Sequence, residues 1–193
     1  MALALRDEQR HTYAEYLAWP EEARYELIDG LAYAMGPAPL RQHQRIVLEM
    51  ARQIAAAVDG GPCEVNIAPF DVRLPRAHEG DELIDTVVQP DIVVVCDRSK
   101  LDDRGCRGAP DWLVEVLSPG SAAHDQVRKL FLYERHGVRE YWLVHPTDQI
   151  VTAYRLENGV YGRPLVQELL GTLSSSACPR VEIDWEAIVR GLR

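Results

Sequence analysis

Two carboxylates stand where strand cores ordinarily place aliphatic side chains. Asp91, preceded by Pro90, opens the run Ile92-Val-Val-Val95, and Glu115 lies inside Trp112-Leu-Val-Glu-Val-Leu117. Burying an ionised carboxylate among apolar neighbours is costly unless it is paired or holds a metal ion. By strand alternation Glu115 shares a face with Leu113 and Leu117, so it interrupts an apolar row. Two such groups on neighbouring strands can ligate one hard divalent cation through oxygen. A cation held in this way can activate water and offset the charge that grows on a phosphoryl group. The ordinary alternatives are a solvated aspartate at a strand entrance and a glutamate paired with an arginine.

The elements that must place these groups can be read along the chain. Thr12-Tyr-Ala-Glu15 is a capping box that opens a short helix. Asp29-Gly30 between two strand-like runs predicts a tight hairpin. Ile46, Val47, Met50, Ile54 and Val58 recur at helical spacing, predicting a helix over 41–58 with one buried face. Short strands are expected over 63–67 and 70–74, and a polar loop over 75–85. A strand-like run over 87–95 is interrupted at Gln89-Pro90. After a loop over 97–110 come a strand over 112–118, a helix over 122–136 and a strand over 140–145. The turn Ser118-Pro-Gly-Ser121 caps that helix. Further strands are expected over 152–156 and 181–183. The strand–helix–strand unit from Trp112 to His145 predicts a parallel crossover. The expected fold class is therefore α/β (α+β), a mixed central β-sheet flanked by helices in one domain over 1–193.

Composition narrows the function. The net charge of −9 and pI near 5.1 argue against a protein that coats nucleic acid non-specifically. They permit an enzyme that meets phosphates through a local patch and a bound cation. Lys100 and Lys129 are the only lysines among 21 Lys and Arg residues, so each invites scrutiny. Cys63, Cys96, Cys106 and Cys178 form no C-x-x-C pair, which argues against zinc, and Cys96 reads as a small core residue. The segment Met1 to Arg10 lacks the order of a signal peptide and no apolar run matches a membrane span. A cytoplasmic address without disulfides is expected. Neither a G-x-S-x-G elbow, a Walker-type loop nor G-x-G-x-x-G occurs, which sets aside serine hydrolysis and nucleotide binding.

Pro90-Asp91, then Glu115 on the next strand, then a helix and another strand resembles the core of the PD-(D/E)XK nuclease superfamily. Within it, the chain is similar to the Uma-type putative restriction endonuclease family. The matching segments include Thr12-Tyr-Ala-Glu-Tyr-Leu, Arg24-Tyr-Glu-Leu-Ile-Asp-Gly, His43-Gln44 and Ala68-Pro-Phe-Asp-Val-Arg-Leu. They continue through Val88-Gln-Pro-Asp-Ile, Arg107-Gly-Ala-Pro-Asp, Val114-Glu-Val-Leu-Ser-Pro and Val138-Arg-Glu-Tyr-Trp-Leu-Val, spanning nearly the whole chain.

The resemblance implies an endonuclease that hydrolyses phosphodiester bonds of nucleic acid, DNA first, with Mg2+ or Mn2+. It implies Asp91, Glu115 and the backbone carbonyl of Val116 as ligands, with Glu26 binding directly or through water. The lysine expected two residues after the glutamate is Leu117 here. The resemblance supplies Lys129 from the following helix instead, to orient water or offset phosphate charge. The alternative for Lys129 is a helix-surface ion pair with Asp125. For Glu26 it is an ordinary polar position on a hairpin strand. His43, at a helix start, either contacts phosphate and the attacking water or caps and packs. Gln44 and Tyr133 are weaker candidates, and Arg41, Arg45 and Arg52 either meet phosphates or form a solvated helix face. Superfamily members commonly act as homodimers. The opposing reading is a non-catalytic nucleic-acid-binding or dimerisation module that retains the fold.

Overall fold

The computed structural model describes residues 9–20, 24–36, 38–118 and 123–192. Helix α1 (Tyr13–Tyr16) leads to the hairpin β1 (Tyr25–Ile28) and β2 (Leu31–Ala34), then to α2 (Arg41–Val58). Strands β3 (Glu64–Ile67), β4 (Val72–Arg73), β5 (Val87–Val88) and β6 (Ile92–Val95) follow. A second hairpin, β7 (Leu101–Asp102) and β8 (Gly105–Arg107), precedes β9 (Trp112–Val116), α3 (Ala123–His136) and β10 (Glu140–His145). The C-terminal part adds β11 (Ile150–Glu157), β12 (Val160–Tyr161), β13 (Leu165–Glu168) and β14 (Thr172–Ser174). It ends with β15 (Glu182–Asp184) and α4 (Trp185–Arg190).

The chain forms a mixed α+β fold, and its strands divide between two main sheets rather than one. One sheet has the order β2-β1-β5-β4-β8-β7, and the other β12-β11-β10-β9-β6-β3, with β13 added beside β11. The expected parallel crossover is present: β9 and β10 pair in parallel, Glu140 with Trp112 through Val144 with Val116, with α3 between them in sequence. The single strand-like run over 87–95 becomes β5 in one sheet and β6 in the other. Pro90 has no N–H to give a ladder, so the chain leaves the first sheet there and enters the second.

Alternation along β9 divides two cores. Trp112, Val114 and Val116 join Ile46, Val47, Met50 and Ile54 of α2 on one face. Leu113, with Leu117 packed beside it, joins Tyr133 of α3 and Val72 and Val88 of the first sheet on the other. Glu115 has the parity of the second face. The α2 bounds match the apolar spacing, because all four of those residues are buried along one stripe. Asp29 and Gly30 both adopt positive φ, 52° and 78°, as the tight hairpin between β1 and β2 requires.

Three expectations are revised. The loop over 97–110 contains a hairpin, because Gly105 at φ 121° lets the backbone approach the Asp71 carbonyl more closely than any Cβ would allow. The region after Glu157 contributes β12, β13, β14 and α4, whose segments are too short or too mixed to show a period. Cys96 is neither a free core residue nor unpaired: it forms a disulfide with Cys63, with Cα atoms 3.8 Å apart. The register Glu64 to Val95 places these cysteines side by side across the β3–β6 pair. The turn over 119–122 and the Asp125 side chain lie outside the described residues.

The C-terminal segment is anchored by a buried carboxylate. Glu140 is 0% exposed and accepts from Trp142 Nε1 at 2.8 Å, Ser175 Oγ at 2.6 Å and the Ala177 N–H at 2.8 Å. A truncation there leaves those donors buried without an acceptor. Glu140→Ala is expected to lower unfolding stability by about 3 kcal/mol, read from the urea midpoint at unchanged slope. A loss within 0.5 kcal/mol, the range of an ordinary surface change, would show that the anchor is dispensable.

Candidate active site

The register that pairs Ile92 with Val114 brings Asp91 opposite Glu115 one step further along β6 and β9. Both carboxylates therefore lie on the face turned toward α3 and the first sheet. Their side chains are only 18% and 13% exposed. Asp91 Oδ2 accepts the Val116 N–H at 2.8 Å and lies 3.2 Å from His43 Nε2, which α2 delivers from the opposite side of the sheet. The Val116 backbone carbonyl also contributes, after Asp91 and Glu115, to raising the His43 pKa. Asp91, His43 and the Val116 N–H thus meet at one corner.

The other half of the site is built around Lys129. Its ammonium donates to Glu26 Oε1 at 2.8 Å and to Glu115 Oε1 at 2.9 Å. Lys129 is 14% exposed and Glu26 10%, so this is an interior ion triad and not the helix-surface pair. Tyr133, one helical turn beyond Lys129, donates its hydroxyl to the same Glu115 oxygen at 3.2 Å. Glu26 is fixed on β1 and takes a further bond from the Gln89 N–H at 3.0 Å.

Asp91, Glu115, Val116, Lys129, Glu26 and His43 all come together. Arg41, Gln44 and Arg45 are exposed on α2, and Arg52 is held by Glu49 at 2.5 and 3.0 Å. Gln89, which local patterning does not single out, braces the site. Its side chain donates to Asp71 Oδ1 at 2.8 Å and to the Tyr16 hydroxyl at 3.2 Å, bracing the backbone between Glu26 and Asp91. Its position immediately before Pro90-Asp91 was the available signal.

Three carboxylates face one lysine, and the electrostatics register that imbalance. Burial pushes the Glu115 carboxyl up most; Lys129 pulls it down, Asp91 and Glu26 push it up again, and it settles at about 7. Burial would lower the His43 pKa, but the hydrogen bond and charge of Asp91, aided by Glu115, outweigh it and leave it raised. The Lys129 pKa is raised: burial works against its charge, and Glu115 and Glu26 together prevail. A donor set of carboxylate oxygens and one backbone carbonyl, short of positive charge, suits a hard divalent cation.

The raised Glu115 pKa has a measurable consequence in metal-free protein. Below its unfolded value of 4.5 the group is protonated in both states, and between 4.5 and about 7 only the folded state holds the proton. That contribution to stability is therefore lost as pH rises through about 7. Relative to Glu115→Gln, the chelator-treated wild type is expected to lose up to about 3 kcal/mol across this window. A difference in unfolding free energy that stays constant with pH would show that Glu115 is ionised throughout.

Comparison with known proteins places the chain in a family. The model of the family described as "Uma2: Putative restriction endonuclease" matches residues 13–186. An uncharacterised protein from Synechocystis sp. is 29% identical over 143 residues, covering 72% of this chain and 71% of that protein. The crystal structure described as a putative nuclease belonging to DUF820, from Anabaena variabilis, superimposes with a TM-score of 0.74 at 22% identity. It covers 94% of this chain and 99% of that one. With the match extending from α1 into α4, the chain belongs to the Uma2 family of restriction-endonuclease-like proteins.

Proposed function

We propose that this protein is a divalent-metal-dependent endonuclease that hydrolyses phosphodiester bonds, with DNA as its substrate. The observation that carries this reading is that Glu115 and Glu26, from two sheets, share the single lysine Lys129, with Asp91 opposite Glu115 in the strand register. Asp91, Glu115 and the Val116 carbonyl, joined by Glu26, are the residues that would hold Mg2+ or Mn2+. Such an ion lowers the pKa of bound water and neutralises charge on the phosphoryl oxygens.

The remaining groups have distinct tasks. Lys129 supplies a fixed positive charge in a partly desolvated place, where it offsets the phosphate far better than in water. Tyr133 and the Gln89 N–H fix the Glu115 and Glu26 oxygens that hold Lys129. His43, with its raised pKa and its bond to Asp91, can hold a proton beside the reacting phosphate. The net charge of −9 leaves long-range attraction of DNA weak, so binding rests on local contacts and on the cation. A homodimer, each subunit cutting one strand, would allow both strands of a duplex to be cut.

The test combines metal binding with cleavage. Calorimetric titration of Mn2+, alone and with a DNA duplex present, is expected to give a saturable site that Asp91→Ala removes. Asp91→Ala, Glu115→Gln and Lys129→Ala are each expected to reduce cleavage by about a thousandfold or more while keeping the wild-type circular dichroism. Full activity in any of them would overturn the assignment of that residue. Absence of Mn2+ binding both with and without DNA would overturn the metal-dependent reading.

A further inference from the structure

Three of the four cysteines meet in space despite their separation in sequence. Cys63 precedes β3 and Cys96 follows β6, and their disulfide spans that strand pair. Cys178 arrives from the connection between β14 and β15, and its Sγ lies 3.8 Å from Cys96 Sγ. The three sulfurs all fall within 4.8 Å of one another. Cys178 is held there firmly: its N–H donates to Ser175 Oγ at 3.1 Å, and Ser175 in turn donates to the buried Glu140. It is 5% exposed, while Cys63 and Cys96 are partly exposed, so the cluster is reachable from one side. Cys106, buried in the other core, takes no part.

We propose that Cys63, Cys96 and Cys178 form a redox-gated three-thiolate site for a soft cation of the zinc class. The Cys63–Cys96 disulfide closes the site, and its reduction by a dithiol opens it. In that step the dithiol loses two electrons and becomes a cyclic disulfide, and Cys63 and Cys96 each gain a proton and become thiols. Three thiols then face one point, and thiolate sulfur selects zinc-class cations over the hard ions that carboxylates prefer. A tetrahedral cation with sulfur ligands at about 2.3 Å requires sulfur–sulfur edges of about 3.8 Å. Cys96 and Cys178 already have that separation and Cys178 lies within 4.8 Å of Cys63, so the largest demanded movement is the parting of Cys63 from Cys96. Burial pushes the Cys178 thiol up to about 11, which keeps it protonated and inert until a cation displaces the proton. Asp111 is committed to the Cys96 N–H at 2.7 Å and to Arg139 at 3.0 Å, so it is not among the proposed ligands.

This site is separate from the carboxylate site. Cys96 lies at the far end of β6 from Asp91, five residues or roughly 16 Å along the strand. The two therefore succeed or fail independently.

The test uses full-length protein reduced with a trialkylphosphine, desalted without oxygen and titrated with Cd2+, while thiolate-to-metal charge transfer is followed in the near ultraviolet. One Cd2+ per chain is expected, displaced by added Zn2+, with no band from the air-oxidised protein. Cys178→Ser and Cys63→Ser are expected to lose more than about 100-fold in affinity, beyond the range of a merely supporting residue. Cys106→Ser is expected to bind like the wild type. Absence of the band in reduced protein, or equal binding by Cys178→Ser, would overturn the site. Four titratable thiols in the unfolded air-oxidised protein, or equal Cd2+ binding by it, would overturn the gate. Circular dichroism of each variant separates loss of ligation from loss of fold.

Discussion

The ammonium of Lys129, buried between Glu26 at 2.8 Å and Glu115 at 2.9 Å, is the contact on which the site's geometry depends. Glu26 belongs to the first sheet, Glu115 to the second and Lys129 to α3, so one cation joins three elements. Removing a charge from water costs several kcal/mol, which only close partners can offset. Each of these three groups is tolerable inside the protein because the other two are there. The arrangement leaves the carboxylates in excess once Asp91 is counted. Burial first, and then that excess, raise the Glu115 carboxyl to about 7, and the carboxylates keep the His43 pKa raised against burial.

The backbone that holds this charge together is short. Between Val88 and Ile92 the chain passes from one sheet to the other, and the groups that a ladder would use are turned to other purposes. The Gln89 N–H fixes Glu26, Pro90 has none to satisfy, and the Asp91 carboxylate takes the N–H of Val116. A crossing point of this kind is a place where buried backbone donors are free to organise side chains, because regular pairing has stopped.

β6 then carries chemistry at both ends, carboxylate oxygen at Asp91 and sulfur at Cys96. The sulfur end depends on the C-terminal segment, which Glu140 fastens to the second sheet through Ser175 and Ala177. Hard and soft donor atoms are thereby kept a strand length apart.

What could be read from the sequence was whatever repeats at a local period. The α2 stripe, the Asp29-Gly30 hairpin, the strand–helix–strand crossover and the two carboxylates that break apolar rows all announce themselves within a few residues. Motif matches added Lys129, Glu26 and His43, which local periodicity alone does not distinguish from a surface ion pair, a hairpin polar residue and a helix cap. Tertiary structure decided the rest. It split one strand-like run between two sheets at Pro90 and turned Lys129 inward to bridge Glu26 and Glu115. It also brought Cys178 to within 3.8 Å of Cys96. The physical reason is the same in each case. Sequence spacing reports which face of its own element a side chain occupies, but charge pairing and sulfur clustering depend on which elements meet, and packing of the two cores sets that.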